Sequence, residues 1–269
     1  MKKMKKGWKI VLIAVGVFAV VEIAALGWFG IGPLHFIHDM KMNSLPGNKA
    51  EYSFDQIIPL ENSPLAGKKI AILGSSVVFG AASQQDAVAE YLSARFGCDY
   101  TKEAVSGTTL VDNGANSYVQ RLQTRLDPNA QYDLFVCQLS TNDASKKLPL
   151  GEIADGTELN DFDTTTVTGA IEYIIVYARE TWDCPVVFFT GSRYDSEEYA
   201  AMVTRLHELE GKYGIGVLDL WTSDDFNAIS DADRALYMND NIHPTRAGYR
   251  DWWGPELEKQ LLAYWENQA

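Results

Sequence analysis

The feature of this chain that most constrains its fold is a repeated alternation of short apolar runs with segments of helical periodicity. The runs, of which the second is the weakest, cover residues 70–73, 98–103, 134–139, 186–190 and 215–220. Apolar runs separated in this way predict parallel strands joined by crossover helices. We therefore expect an α/β protein, a three-layer α/β/α sandwich with about five parallel strands and flavodoxin-like winding.

The composition favours a globular domain with acidic character. Of the 269 residues, 46% are hydrophobic, which is enough for a sizeable core, and the formal net charge is −13. Five lysines lie within the first nine residues, so the rest of the chain is more acidic still. This charge disfavours binding to polyphosphate backbones, and we expect no nucleic-acid partner.

Residues 10–29 form an almost uninterrupted apolar stretch in which Glu22 is the one charged residue. As a helix, the stretch is long enough to cross a hydrocarbon core of about 30 Å, and it predicts a transmembrane anchor. The basic segment 1–9 precedes it, so the positive-inside rule places the N-terminus in the cytoplasm and the rest of the chain outside the cell. A cleaved signal peptide, and hence a secreted protein, is the alternative, although residues 25–27 make a poor cleavage site.

The region after the predicted anchor is irregular in pattern up to Lys68. Its prolines disfavour long helices and strands, and they are Pro33, Pro46, Pro59 and Pro64. We interpret residues 30–67 as a juxtamembrane linker and residues 68–269 as the globular domain. Within that domain, residues 144–163 form the one long irregular stretch, which is typical of a binding loop or lid.

The cysteines indicate neither a disulfide framework nor a metal centre. Cys98, Cys137 and Cys184 permit at most one internal disulfide, and each lies in or beside an apolar run. We expect buried, unreactive thiols. None has the spacing of metal ligands, and we expect no metal or organic cofactor.

A small serine turn, Gly74-Ser75-Ser76-Val77, follows directly after the first apolar run, with Gly80 soon after. It places a hydroxyl at the carboxyl end of a buried strand, where open α/β sheets carry their active sites. A serine becomes a nucleophile only when a base, an acid that orients the base and donors for the oxyanion are available.

Among the four histidines, His243 is the candidate base. It lies in a loop just before the last helical segment, and Pro244 biases it toward an extended conformation. Asp240, three residues earlier, can reach back to the imidazole. His207 lies beside the core stripe of an amphipathic segment, and we interpret it as a histidine on a helix surface.

The chain resembles the SGNH, or GDSL-type, hydrolase family in four short blocks that occur in the family's order. The residues that carry this resemblance lie between Lys68 and the C-terminus, and they are Gly74-Ser75-Ser76-Val77 with Gly80, Gly107 within Ala104-Val105-Ser106-Gly107, Ser140-Thr141-Asn142-Asp143, and Asp240 with His243.

The resemblance implies a serine esterase with the strand order 2-1-3-4-5. Ser76 takes the position of the nucleophile, His243 that of the base and Asp240 that of the orienting acid. The backbone amides of Ser76 and Gly107 and the carboxamide of Asn142 take the positions of the oxyanion donors. The reaction passes through an acyl-enzyme that water resolves, without a metal or cofactor.

Two residues depart from the family pattern. Ser75 stands where the family has an aspartate, and Ser140 stands where it has a glycine, but neither change removes a catalytic group. Asp219, at the end of the fifth apolar run, competes with Asp240 for the role of the acid, and we favour Asp240 because its spacing to His243 is local. We interpret Asp143 as a residue that stabilises a turn.

The sequence leaves the substrate open. An anchored, outward-facing esterase would meet acylated carbohydrates, lysolipids or small diffusible esters, and apolar side chains of residues 144–163 could form part of an acyl or sugar pocket. Transfer of the acyl group to an acceptor other than water is a further possibility. The alternative from another class is a catalytically silent, membrane-tethered binding or scaffold module with the same fold.

Overall fold

The computed structural model of the chain describes residues 36–267, and these divide into two units between Pro46 and Gly47. In the first unit, the structure describes the helix α1 (Phe36–Ser44). The predicted anchor, residues 10–29, and the basic segment 1–9 lie outside the described residues. Among residues 36–267, every helix is too short or too polar to cross a membrane.

The second unit is built on a sheet of five parallel strands. They are β1 (Lys69–Gly74), β2 (Asp99–Ala104), β3 (Leu134–Gln138), β4 (Val186–Phe189) and β5 (Gly216–Leu218). Their spatial order is β2-β1-β3-β4-β5, which confirms the predicted α/β fold and the order 2-1-3-4-5.

The helices that accompany the sheet follow the predicted alternation with the strands. They are α2 (Ser76–Phe79), α3 (Val88–Phe96), α4 (Tyr118–Thr124), α5 (Thr141–Ser145), α6 (Val167–Trp182), α7 (Glu197–Tyr213), α8 (Asp224–Asn227), α9 (Asp231–Tyr237) and α10 (Gly254–Glu266), with a π-helical turn at Gly248–Trp253. Short 3₁₀ turns lie at Pro46–Asn48, Ala50–Tyr52, Phe54–Gln56 and Leu159–Asp161.

The core consists of two apolar clusters, one on each face of the sheet. Side chains alternate along a strand, so β1 sends Ala71 and Leu73 to one cluster and Ile70 and Ile72 to the other. The first cluster includes buried side chains of α4, α6 and α7, and the second includes those of α3 and α10. Helices therefore cover both faces of the sheet, as a three-layer sandwich requires.

The folded unit begins at Gly47, earlier than the predicted boundary at Lys68. Phe54 and Leu65 are buried in the cluster that contains α3, so residues 47–67 contribute apolar side chains to the core. The Asn48 side chain donates to the carbonyl of Ala82 at 2.8 Å and accepts from the backbone amide of Arg246 at 2.9 Å. Residues 47–67 are thus part of the domain and not a free linker.

The three cysteines are free and buried, as expected. Burial raises the pKa of the Cys98 and Cys184 thiols to about 11, which keeps them protonated at neutral pH. Within residues 36–267, no three His, Cys, Asp or Glu side chains gather as potential metal ligands.

His207 and Asp219 join α7 to the carboxyl end of β5. The His207 ring contacts Asp219 through Nε2 at 3.0 Å and Glu210 through Nδ1 at 2.8 Å. Partial burial lowers the pKa of His207, but the hydrogen bonds to Glu210 and Asp219 outweigh it and raise that pKa above its ordinary value. Asp219 also accepts the backbone amides of Trp221 and Thr222 and so fixes the loop after β5.

This pair makes stability depend on pH in a defined direction. A histidine whose folded-state pKa is raised stabilises the fold fully below its unfolded pKa of about 6.5, and this contribution is lost as pH rises through the folded-state pKa. We expect His207→Gln to destabilise the protein more at pH 5.5 than at pH 9, by up to about 1 kcal/mol, as for partly exposed ion pairs. Urea unfolding at both pH values measures the difference. Glu208→Gln, a neighbouring change on α7, is the control, and an equal loss for His207→Gln at both pH values would contradict the assignment.

Candidate active site

The serine turn lies where β1 ends and the short helix α2 begins. Gly74 is the last residue of the strand, and Ser76 is the first residue of the helix. A Cβ atom at Gly74 would lie 2.2 Å from a methyl group of Val78, so only glycine fits. Gly80 ends the helix with φ +79°, a left-handed conformation that favours glycine. These two glycines allow the chain to reverse within a few residues and leave Ser76 at the edge of the sheet.

Ser76, His243 and Asp240 form one hydrogen-bonded chain. The Oγ atom of Ser76 lies 2.8 Å from Nε2 of His243, and Nδ1 of His243 lies 2.9 Å from Oδ2 of Asp240. Ser76 and His243 are 167 residues apart in sequence, so the fold alone brings them together. The structure thus unites the three residues that the sequence assigns to nucleophile, base and acid.

The Asp240 carboxylate is held in its charged form. Burial raises its pKa, but the hydrogen bond and charge of His243 and the backbone amides of Ile242 and His243 outweigh burial and keep the pKa well below its usual range. The carboxylate therefore remains ionised at neutral pH and can accept the Nδ1 proton of His243. That hydrogen bond leaves Nε2 free to accept a proton from Ser76.

Asp219 does not reach His243. It binds His207 and the loop after β5, so the structure supports Asp240 as the partner of the base. Asp143 accepts the backbone amides of Leu110 and Val111 at 2.9 and 3.1 Å and fixes the loop that follows Gly107. It has the turn-stabilising place that the sequence suggested.

Besides Ser76, the predicted oxyanion residues are Gly107, in a loop, and Asn142, in a helix, both at the carboxyl edge of the sheet. Gly107 occupies a turn after β2 with φ +79°, and its carbonyl accepts from Lys146 at 2.8 Å. Asn142 is in the first turn of α5, and its Nδ2 atom lies 3.1 Å from Oγ of Ser75 and 3.0 Å from the carbonyl oxygen of Thr108. Asn142 is thereby held against both the serine turn and the loop of Gly107.

The backbone conformation at Ser140 accommodates a side chain where the family has a glycine. Its backbone is extended, with φ −73° and ψ 125°, and its Oγ caps α5 by accepting the backbone amide of Asn142 at 3.2 Å. The substitution therefore adds a helix cap without backbone strain.

Two polar residues of the site escaped the sequence analysis. Arg121 on α4 is fully buried, and its guanidinium donates to the Gly74 carbonyl at 2.8 Å, to Thr108 Oγ1 at 3.0 Å and to the Glu103 carboxylate at 3.1 Å. Its position between Tyr118 and Leu122 on one helix face is the signal that could have found it. Gln138, the last residue of β3, is the other, and a single amide within an apolar strand was its signal.

Hydrogen bonds join the irregular segment 144–163 to helices α6 and α7. Glu172 on α6 accepts the backbone amide of Ala154 at 3.1 Å, and Lys212 donates to the Ala154 carbonyl at 2.6 Å and to Glu172 at 2.8 Å. Three apolar side chains of the segment are partly buried and pack against the core, and they are Leu148, Leu150 and Ile153.

Several solved structures share this fold. A protein from Lactobacillus plantarum is 22% identical, with 74% of this chain and 98% of that chain covered and a TM-score of 0.57. The acetyl xylan esterase AlAXEase is 14% identical, with 71% and 98% covered and a TM-score of 0.51. A family two carbohydrate esterase from Clostridium thermocellum, in complex with cellohexaose, is 14% identical, with 77% and 66% covered and a TM-score of 0.52.

At the level of sequence, no curated protein matches this chain. The sequence model of one protein family does match, and it covers residues 72–250, a span that includes the serine turn, Asn142 and His243. This span is well over half of the chain. The chain therefore belongs to the GDSL-like lipase/acylhydrolase family.

Proposed function

We propose that this protein is a serine esterase that hydrolyses acyl esters through an acyl-enzyme on Ser76. The observation that carries the proposal is the continuous chain from Ser76 Oγ through His243 to the Asp240 carboxylate, with contacts of 2.8 and 2.9 Å. A serine hydroxyl is a weak nucleophile until a base accepts its proton, and this geometry supplies that base.

In the first step, Ser76 Oγ attacks the ester carbonyl while its proton moves to Nε2 of His243. Asp240 stabilises the resulting imidazolium through Nδ1. The His243 proton then passes to the departing alcohol, and the acyl group remains on Ser76. Water, deprotonated by His243, attacks the acyl-enzyme and releases the acid, which restores the Ser76 hydroxyl.

The negative charge that develops on the carbonyl oxygen requires donors. The amides of Ser76 and Gly107 and the carboxamide of Asn142 are the donors we assign, and the loss of one such donor typically lowers turnover by about 10²–10³. Because Asn142 is tied to Thr108 and Ser75, its carboxamide is positioned before substrate arrives.

For the substrate, we propose short O-acyl groups on carbohydrates. Leu148, Leu150 and Ile153 of segment 144–163 pack against the core, which leaves less of their apolar surface to bind a long acyl chain. The acidic composition also disfavours strongly anionic ligands. Structural neighbours named as an acetyl xylan esterase and a carbohydrate esterase make acetylated glycans the first class to test.

We further propose that residues 10–29 anchor the protein in the cell membrane with the esterase domain outside. The support is in the sequence, an apolar stretch preceded by five lysines.

The esterase proposal predicts that the full-length protein hydrolyses p-nitrophenyl acetate faster than the butyrate and octanoate esters, and releases acetate from acetylated xylan. Ser76→Ala should lower kcat by about 10⁴–10⁶ with its fold intact, because the nucleophile is lost. Equal rates for Ser76→Ala and wild type would contradict the assignment of Ser76 as the nucleophile. Faster octanoate hydrolysis would favour a lipid substrate, and an inactive wild type would favour a silent binding module.

The choice of acid is tested separately. Asp240→Asn should lower kcat by up to about 10⁴ because it loses the carboxylate that orients and stabilises His243. Asp219→Asn is the matched control, since Asp219 is also bonded to a histidine, and we expect its kcat to stay within about twofold while its stability falls. The reverse pattern of kcat values would identify Asp219 as the acid.

The anchor is tested by fractionating cells that express the native full-length chain. We expect the protein in the membrane fraction, resistant to carbonate washing, with an intact N-terminus and a protease-accessible domain outside the cell. A mature chain that starts after residue 25, or that is released by washing, would instead indicate secretion.

A further inference from the structure

Gln138 lies beneath the serine turn and has no role in the mechanism described above. It ends β3 at 2% exposure, next to the end of β1. Its Oε1 atom accepts the backbone amide of Ser75 at 2.9 Å and lies 3.3 Å from Ser75 Oγ. An amide buried at this position in an apolar strand is costly unless its hydrogen bonds are made.

The backbone determines which way this amide points. A backbone N–H can only donate, so the Ser75 amide requires the carbonyl oxygen of Gln138 to face it. That oxygen can only accept. The Ser75 hydroxyl has one proton, and Oε1 of Gln138 is an acceptor for it at 3.3 Å, while the buried hydroxyl of Tyr118 is a second polar neighbour of Ser75.

Once its proton is directed at Gln138, the Ser75 hydroxyl presents lone pairs to Asn142. The Nδ2 atom of Asn142 lies 3.1 Å from Ser75 Oγ and 3.0 Å from the carbonyl oxygen of Thr108. Both are acceptors, so the NH₂ end of the Asn142 amide, and not its oxygen, is held between the serine turn and the loop of Gly107. An amide turned the other way would place a carbonyl oxygen where the oxyanion needs a donor.

We propose that Gln138 and Ser75 form a relay that sets the orientation of the Asn142 oxyanion donor, with Gln138 as a positioning residue. The relay rests on the proposed esterase function. It also explains why Ser75 serves where the family has an aspartate: a carboxylate can only accept, whereas a hydroxyl can donate or accept and needs Gln138 to select the acceptor state.

The relay leaves Asn142 able to donate to an oxyanion. Both of its N–H groups have neutral acceptors in this structure, Ser75 Oγ and the Thr108 carbonyl. A hydrogen bond to a charged oxygen is roughly twice as strong as one to a neutral acceptor, so a developing oxyanion can take over one N–H without turning the amide.

The test is a double-mutant cycle on the full-length protein with Gln138→Leu, Ser75→Ala and the combined variant. Gln138→Leu should lower kcat by about 10- to 100-fold with KM within about twofold, because a misoriented donor weakens binding only of the transition state, in which charge develops on the carbonyl oxygen. In the Ser75→Ala background, Gln138→Leu should have little further effect on kcat, since no hydroxyl remains to be oriented. Ser75→Thr, which keeps the hydroxyl, should retain most of the activity.

Gln260→Leu is the matched control. Gln260 also accepts a backbone amide at a strand end, that of Asp219 at 2.6 Å, but it lies beyond β5. We expect Gln260→Leu to lower the melting temperature as much as Gln138→Leu does while kcat is unchanged. Independent, additive effects of Gln138→Leu and Ser75→Ala on kcat, or a kcat unaffected by Gln138→Leu, would overturn the relay.

A readout that does not need activity separates this inference from the proposed function. The side-chain amide hydrogens of Asn142, assigned by NMR with Asn142→Asp, should exchange with solvent faster in Gln138→Leu and Ser75→Ala than in wild type or Gln260→Leu. If wild type and Ser76→Ala are equally inactive on esters, the proposed function fails, and the exchange rates still judge the relay. If exchange is unchanged in both variants, the relay fails even in an active esterase.

Discussion

The pairing of β1 between β2 and β3 is the constraint on which the rest of this structure depends. Parallel strands end at the same edge of a sheet, so their register decides which residues meet there. Gly74 lies opposite Ala104 of β2, and Leu73 lies opposite Cys137 of β3, which places Gln138 beside the serine turn. A shift of one residue would exchange the two core faces of β1 and separate these groups.

Around this edge, buried hydrogen bonds and ion pairs fix the loop positions that apolar packing alone would not determine. Arg121 joins the end of β1 to the loop of Thr108, and Asp143 joins that loop to α5. A buried charge is costly unless paired, and Arg121 meets this condition through Glu103 and several oxygen acceptors. The same bonds that satisfy these groups hold loops from three strands in one arrangement. These bonds therefore preorganise the site.

The apolar periodicity was sufficient to predict the fold class, and short blocks at strand ends identified the residues that meet at Ser76. The strand order came from the resemblance to the SGNH family that those blocks carry. The start of the domain was misplaced because Phe54 and Leu65 are isolated apolar residues among prolines, without periodicity. The contacts of segment 144–163 could not be predicted because its partners, Glu172 and Lys212, lie on helices distant in sequence.

The sequence marks Gln138 and Arg121 only as polar residues in apolar surroundings, and it could not predict their roles because a buried polar group acts through partners that only the fold supplies. Ser75 looked like a loss relative to the family pattern when it was taken alone. In the fold, Ser75 is hydrogen-bonded to Gln138, which lies outside the serine turn. The role of a residue in a motif can therefore depend on a residue outside that motif.

Asn48 also links two parts of the catalytic centre. Its side chain bonds both to Ala82, shortly after the nucleophile turn, and to Arg246, shortly after His243. The segment that opens the domain therefore joins the loop after Ser76 to the loop after His243, two parts of the chain that are far apart in sequence.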